Sequence, residues 1–145
     1  MPTRLDSMRR TLAGELPPPP VATLIGFRLT AIERGRSRYE LDAEARHHNP
    51  MGTLHGGVLC DIADIAMGSA YASTLEEGES FTTLELKINF LRPVRAGHLT
   101  ADATVVQRGR TVGMAECVIS EAGGRLIAKA TSTCLTLRGE QARDR

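Results

Sequence analysis

Residues 56–73, GGVLCDIADIAMGSAYAS, restrict the fold more than any other stretch of this chain. They show no alternation and are apolar on nearly every side, interrupted only by Asp61 and Asp64. A helix that is hydrophobic all round has to be enclosed by the rest of the protein. Small residues at Ala63, Ala66, Gly68, Ala70 and Ala72 would let a sheet lie close against it, and residues 76–79, which include Gly78, form a polar exit.

On both sides of this segment the apolar period changes to two. Phe27, Leu29 and Ala31 alternate with Arg28, Thr30 and Ile32. A turn at Arg34, Gly35 and Arg36 follows, and Tyr39, Leu41 and Ala43 then alternate with Arg38, Glu40 and Asp42, which predicts a hairpin. Residues 44–54 are polar, carry Pro50 and Gly52, and read as a loop. Beyond the helix, Leu84, Leu86, Ile88 and Phe90 face one way and Thr83, Glu85, Lys87 and Asn89 the other, until Pro93 and Gly97 break the strand. Further strands are predicted near residues 99–107, 112–120 and 126–137, joined by turns at residues 108–110 and at Gly123 and Gly124. The expected architecture is α+β, a mostly antiparallel sheet of about six strands wrapped around one long central helix. Its edge strands and far face would be open, which favours a homo-oligomer.

Residues 1–20 read as an appendage. Leu5, Met8, Leu12 and Leu16 predict a short amphipathic helix ended by four consecutive prolines, Pro17 to Pro20. The domain proper is assigned to residues 21–138, and residues 139–145 form a charged, frayed tail.

Composition removes several functions. Aromatics make up 3% of the chain, with no Trp, and 18 Lys+Arg balance 17 Asp+Glu, whereas a nucleic-acid reader needs stacking rings and a basic groove. The charged N-terminus has no apolar h-region and no apolar run is long enough to span a bilayer, so neither a signal peptide nor a membrane partner is expected and the location is read as cytoplasmic. Cys60, Cys117 and Cys134 are an odd number at wide spacing and fit neither a disulfide framework nor a zinc module.

Candidate chemistry concentrates at residues 47–57, HHNPMGTLHGG, and at Asp64. A helix start exposes backbone N–H groups at the positive end of the macrodipole. Without side chains, Gly56 and Gly57 would let a substrate carbonyl reach those groups, the geometry of an oxyanion hole. Asp61 is explained as a charge near the helix N-terminus. Asp64 lies a turn further in, where an ionised group on an apolar helix is costly unless it is paired or functional; burial there would raise its pKa and suit it to act as base or nucleophile. Its structural alternative is a buried carboxylate held by neighbouring amides. For the glycines the alternative is a tight turn into the helix. His47, His48 and His55 could suggest a metal, but adjacent histidines on an extended loop point apart and nothing completes a ligand spacing, so no metal is expected.

The string NPMGTLHGG, the Asp of IADIA, the run LELKINFLRPVRAGHLTADATVVQRGRT and the final GGRLIAKAT resemble the hotdog-fold acyl-CoA thioesterases, nearest the phenylacetyl-CoA thioesterase and THEM-like branch. The resemblance covers residues 20–137. It implies that the Gly56 N–H polarises a thioester carbonyl, with His55 and Gly57 the other residues of the family's HGG, that Asn49 and His55 order the loop, and that Asn49 positions the lytic water. Asp64 would act across a dimer interface, with tetramers built from such dimers. Thr83 matches a Ser or Thr of the family; on the polar phase of its strand it would have to meet substrate from a neighbouring subunit. Arg108, Gly109, Arg110 and Thr111 resemble the loop near the nucleotide end of coenzyme A, where Arg can grip a phosphate, although a solvated hairpin turn explains them equally. The implied activity is hydrolysis of an acyl-CoA or arylacyl-CoA, with no cofactor beyond the coenzyme A ester that is the substrate. A hotdog acyl-thioester hydratase or dehydratase and a non-catalytic acyl-CoA-binding protein remain alternatives. Tyr39, Tyr71, Phe81, Phe90 and Phe27 are the aromatic contacts available to an acyl group, and Met51, Leu59 and Met67 are further candidates for its pocket.

Overall fold

The computed structural model describes residues 1–143 and places helix α3 (Gly56–Ala72) against one six-stranded sheet. The strands are β1 (Arg28–Glu33), β2 (Arg36–Ala43), β3 (Ser80–Phe90), β4 (Gly97–Arg108), β5 (Val112–Glu121) and β6 (Leu126–Leu137). They run in the order β1-β2-β4-β5-β6-β3, every neighbouring pair antiparallel. All six strands touch α3, so the sheet wraps the helix in the hotdog arrangement.

The core between them is built from small and aliphatic groups. Leu59, Ile62, Ala63, Ala66, Met67 and Ala70 of α3 pack on Leu41, Leu99, Ala101, Cys117, Ile119 and Ile127 of the sheet. Alanines at the contact allow the helix to lie close to the strands, which suits a core with so few rings. The helix is not enclosed on every side, however. Asp61 and Asp64 are exposed and Cys60, Ile65 and Gly68 half-buried, forming a stripe at helical spacing that the sheet does not reach. The apolar composition of α3 therefore overstated its burial within one chain.

A second departure lies in β3. Thr83 pairs with Cys134 and Glu85 with Thr133, leaving Leu84 as the extra residue of a bulge. The bulge shifts the alternation by one. Leu84 is turned out and 57% exposed, while Leu86 and Ile88 pack on the core together with a half-buried Thr83 earlier in the strand. Thr83 and Leu86 thus face α3 from the same side, contrary to the simple period-two reading.

At the N-terminus, α1 (Arg4–Leu12) begins with a capping box between Thr3 and Asp6 and ends at Ala13, before the prolines. It lies against β1 and α3. A short helix α2 (Pro20–Ile25) straddles the expected boundary at residue 20; Pro20 occupies the first turn, where a missing N–H costs nothing, and Gly26 at φ 100° closes it. The tail contains α4 (Glu140–Arg143), and its last two residues lie outside the described residues. Among the described residues no helix is long and apolar enough to cross a membrane.

Candidate active site

The loop before α3 is held by its own side chains. Asn49 Oδ1 accepts the N–H groups of Met51 at 3.0 Å and Thr53 at 3.2 Å, and its Nδ2 donates to Thr53 Oγ1 at 2.9 Å. The buried His47 accepts the Glu44 N–H on Nδ1 at 3.1 Å, so its Nε2, 2.7 Å from the Ile25 carbonyl, carries the proton. His48 Nε2 lies 2.5 Å from the Arg95 carbonyl. His55 caps α3, its Nδ1 accepting the Gly57 N–H at 2.8 Å. The three histidines are therefore fastened to three separate stretches of backbone and do not converge.

This capping separates the two glycines. The Gly57 N–H is taken by His55, whereas the Gly56 N–H has no acceptor among the described residues. At both positions a side chain would have to displace a neighbouring ring. A Cβ on Gly56 would stand 2.8 Å from Phe90 Cζ, and one on Gly57 would stand 2.9 Å from His55 Nδ1. Beside Gly56 lies a cleft of about 370 Å³ lined by Asn49, Leu59, Phe90 and Val94. Of the three pocket candidates, Leu59 is here, Met67 is fully buried in the core and Met51 is exposed.

Asp64 opens into a different cleft of about 360 Å³, whose walls include Met8, Phe27, Asp61, Gly68, Phe81 and Thr83. The β3 bulge brings Thr83 to Asp64 within one chain, and the Thr83 hydroxyl donates to the carboxylate. The expectation that Thr83 approaches only from a neighbouring subunit is corrected by that bulge. Asp64 reaches water along its exposed edge, yet the apolar walls raise its pKa by desolvation; the Thr83 hydrogen bond restrains the rise and the Asp61 charge adds to it. Asp61 sits past the first turn and faces this cleft, so it serves as a second charge here and not as a cap.

Eight residues separate Gly56 from Asp64 on α3. At 1.5 Å per residue that is about 12 Å along the axis, too far for both to touch one carbonyl in the same chain.

The turn at residues 108–111 stands at the other end of the helix. Arg108 lies 5.1 Å over the Tyr71 ring, pairs with Glu79 at 2.8 Å, and donates to Thr74 Oγ1 at 3.1 Å and to the Gly109 carbonyl. Its guanidinium is thus engaged within the fold. Arg110 is exposed, its carbonyl accepting from Arg138, and Thr111 is exposed with its carbonyl bonded to the Thr136 N–H. Gly109 has no room for a Cβ, which would meet the Val112 carbonyl oxygen. Met8 and Val21, on the wall of the Asp64 cleft, are the residues that sequence reasoning passed over. The apolar phase of α1 was the available signal for Met8; nothing in the sequence marks Val21.

A hydrophobic helix wrapped by an antiparallel sheet, with a bare N–H at its start and a carboxylate two turns on, defines a hotdog-fold hydrolase. The model of the thioesterase superfamily matches residues 51–128, and the chain belongs to that family. It is 31% identical over 101 residues to the proofreading thioesterase EntH of Klebsiella pneumoniae, covering 70% of this chain and 74% of that one. It is 30% identical over 103 residues to the 1,4-dihydroxy-2-naphthoyl-CoA hydrolase of Listeria monocytogenes, covering 71% and 84%. The crystal structure of a phenylacetic acid degradation-related protein from Ralstonia eutropha superposes with a TM-score of 0.79 at 36% identity, over 88% of this chain and 97% of that one. The protein is accordingly a thioester hydrolase.

Proposed function

We propose that the protein hydrolyses acyl-CoA or arylacyl-CoA thioesters at a site completed by two copies of the chain. The observation that carries this reading is the division of the machinery. The unpaired Gly56 N–H and the Asp64–Thr83 pair lie in separate clefts about 12 Å apart on one helix, while the uncovered stripe of α3 leaves both accessible to a second molecule. A homodimer apposing two such stripes pairs Asn49, His55 and Gly56 of one protomer with Asp64 and Thr83 of the other.

In that site the carbonyl oxygen accepts the Gly56 N–H, and negative charge developing on it is stabilised there. Asp64 removes a proton from a water held near the Asn49 amide, or attacks the carbonyl itself. A carboxylate whose pKa is raised is the stronger base, and the Thr83 hydroxyl fixes which oxygen faces the water. With Asp64 as base, the C–O bond to water forms, the C–S bond breaks, and coenzyme A leaves as the thiolate, to be reprotonated by the Asp64 carboxyl; with Asp64 as nucleophile, departure of the thiolate leaves an acyl–Asp64 anhydride, which a water hydrolyses to the free acid and the Asp64 carboxylate, its proton passing to the thiolate. Asn49, His55 and Gly57 act by holding the loop, as their hydrogen bonds suggest. Toward the nucleotide end, Arg110 and Thr111 meet the phosphates, on a turn whose shape Arg108 and Gly109 maintain.

Thiol release from acyl-CoA by single-variant and mixed oligomers tests the reading. Asp64→Asn and Asn49→Ala homo-oligomers should each be nearly inactive. Subunits of the two, mixed after unfolding and refolding, should regain about a quarter of wild-type activity, because random pairing restores one intact site in half of the dimers. No recovery in mixed oligomers refutes the shared site, and wild-type protein that releases thiol from no acyl-CoA refutes the substrate class.

A further inference from the structure

We infer that the N-terminal segment sets the size of acyl group the enzyme accepts, with Met8 and Val21 as specificity-determining residues. This rests on the acyl-thioester reading above. The Asp64 cleft is asymmetric. Its reactive edge carries Asp61, Asp64 and Thr83, while the wall contributed from upstream consists of Met8, Val21 and Phe27. No charged side chain of α1 or α2 lines it, so the part of a substrate that reaches this wall is uncharged and apolar. Coenzyme A, with its phosphates, must leave by the opposite side.

Those three residues lie before residue 51, where the match to the thioesterase superfamily begins. The reactive edge lies within that matched segment and the apolar wall outside it. The segment is docked in place. Met8 packs with Phe81 against the Tyr71, Ala72 and Leu75 group, and the four prolines that follow α1 limit how far it can swing. Met is well suited to the position, because an unbranched thioether adapts to several acyl shapes. Phe27, 2% exposed, closes the cleft and separates it from a second cavity of about 310 Å³ lined by Pro18, Pro19, Ala22 and Tyr39. At about 360 Å³ the first cleft has room for a ring or a medium-length chain, given that a cavity of about 150 Å³ already holds benzene.

The test is a kcat/KM comparison between butyryl-CoA and dodecanoyl-CoA. Met8→Ala should raise the dodecanoyl-to-butyryl ratio by about tenfold, the scale of a methylene or two in an apolar pocket. Met8→Trp should lower it by a similar factor, and Met8→Leu should leave it within about twofold. Ratios that stay constant across Met8→Ala, Met8→Trp and Val21→Ala overturn the inference while leaving thioester hydrolysis standing. If wild-type protein hydrolyses no acyl-CoA, the earlier reading fails and the wall is judged by binding instead. In protein labelled at its methionine methyls, titration with the dodecyl-CoA thioether should then shift the Met8 signal, assigned by its loss in Met8→Leu. An unmoved Met8 signal at saturation overturns the inference.

Discussion

Replacing Arg108 by Gln and Arg110 by Gln should affect different properties, although the two residues flank the same glycine. Arg108 and Glu79 are 2.8 Å apart with side chains only 23% and 10% exposed, so their ion pair is sheltered from water. Removing the guanidinium leaves Glu79 with Arg138, which limits the loss to about 1–2 kcal/mol rather than the ~3–5 kcal/mol of an abandoned buried charge. Loss of the cation from the Tyr71 face contributes about 1 kcal/mol. Loss of the hydrogen bond to Thr74 adds about 1 kcal/mol. Because the groups touch, these terms do not add fully, and a total of about 2–4 kcal/mol is expected. For a domain of this size that lowers Tm by roughly 6–14 °C. Arg110→Gln should leave Tm within about 2 °C and raise KM for acyl-CoA about three- to tenfold through one charge-assisted contact. KM for a pantetheine thioester, which lacks the nucleotide phosphates, should not change. The acid side gives a further check. Burial pushes the Glu79 carboxyl up, but the Glu76 N–H, Arg138 and Arg108 together hold it below its ordinary value of 4.5. Stabilisation from a depressed carboxylate is complete above 4.5 and lost as pH falls through the folded-state value, so the Tm gap between wild type and Arg108→Gln should close in that window. Thermal unfolding followed by circular dichroism measures all of this. A Tm within 2 °C of wild type for Arg108→Gln, together with a raised KM that pantetheine thioesters do not share, refutes the anchoring role.

Asp64→Asn should cut kcat by about 10²–10⁴, measured by thiol release, without lowering Tm. Its raised carboxyl makes the ionised form a liability to the fold that develops as pH climbs above 3.8 and is present at neutral pH, so the neutral amide costs no stability; the wild-type loss of kcat/KM in acid should disappear from the residual activity of the variant. His55→Ala removes the Nδ1 cap on Gly57 and should cost about 0.5–2 kcal/mol in denaturant unfolding, with partial rescue by His55→Asn, whose amide oxygen can accept the same N–H. Thiol labelling of native protein should leave Cys117 and Cys134 unmodified: burial pushes Cys117 up to about 12 and also raises Cys134, so both should react only after unfolding.

Most of the sheet and all of α3 are legible in the sequence because their signals are local. Period two in residues 36–43 and 112–120 and the unbroken apolar run of α3 depend only on neighbours within the same element. The strand limits move by one to three residues. What was not legible depends on partners distant in sequence. A bulge at Leu84 is a property of the pairing with β6, and no residue of β3 announces it; yet it decides whether Thr83 faces Asp64 or the solvent. Burial of α3 was overstated for a related reason. Its uncovered stripe carries Ile65 and Gly68 beside the two aspartates, so composition could not tell a helix enclosed by one sheet from a helix awaiting a second copy. Docking of α1 is likewise a tertiary outcome, since the prolines at residues 17–20 indicate only that the helix ends before them.

The scarcity of aromatic residues acquires a structural meaning from where the few rings lie. Three of the five sit directly over a glycine. Phe90 covers Gly56, Phe81 covers Gly68, where a Cβ would stand 3.4 Å from its ring, and Tyr71 covers Gly113, where a Cβ would stand 2.4 Å away. A ring packed on bare backbone is held on one face by main chain that cannot change rotamer, so its position is set by the fold and not by neighbouring side chains. Phe90 flanks the Gly56 N–H, Phe81 walls the Asp64 cleft, and Tyr71 seats Arg108 below the 108–111 turn. Each region assigned a part in thioester hydrolysis therefore rests on one such pair. The glycines at the helix entrance do two things at once: Gly56 leaves its N–H open to a carbonyl, and its missing side chain lets Phe90 close over the same spot. A substitution at Gly56 cannot test the backbone donor without also displacing the ring, which is why the carboxylate and the loop, and not the glycine, are the informative positions for separating chemistry from packing.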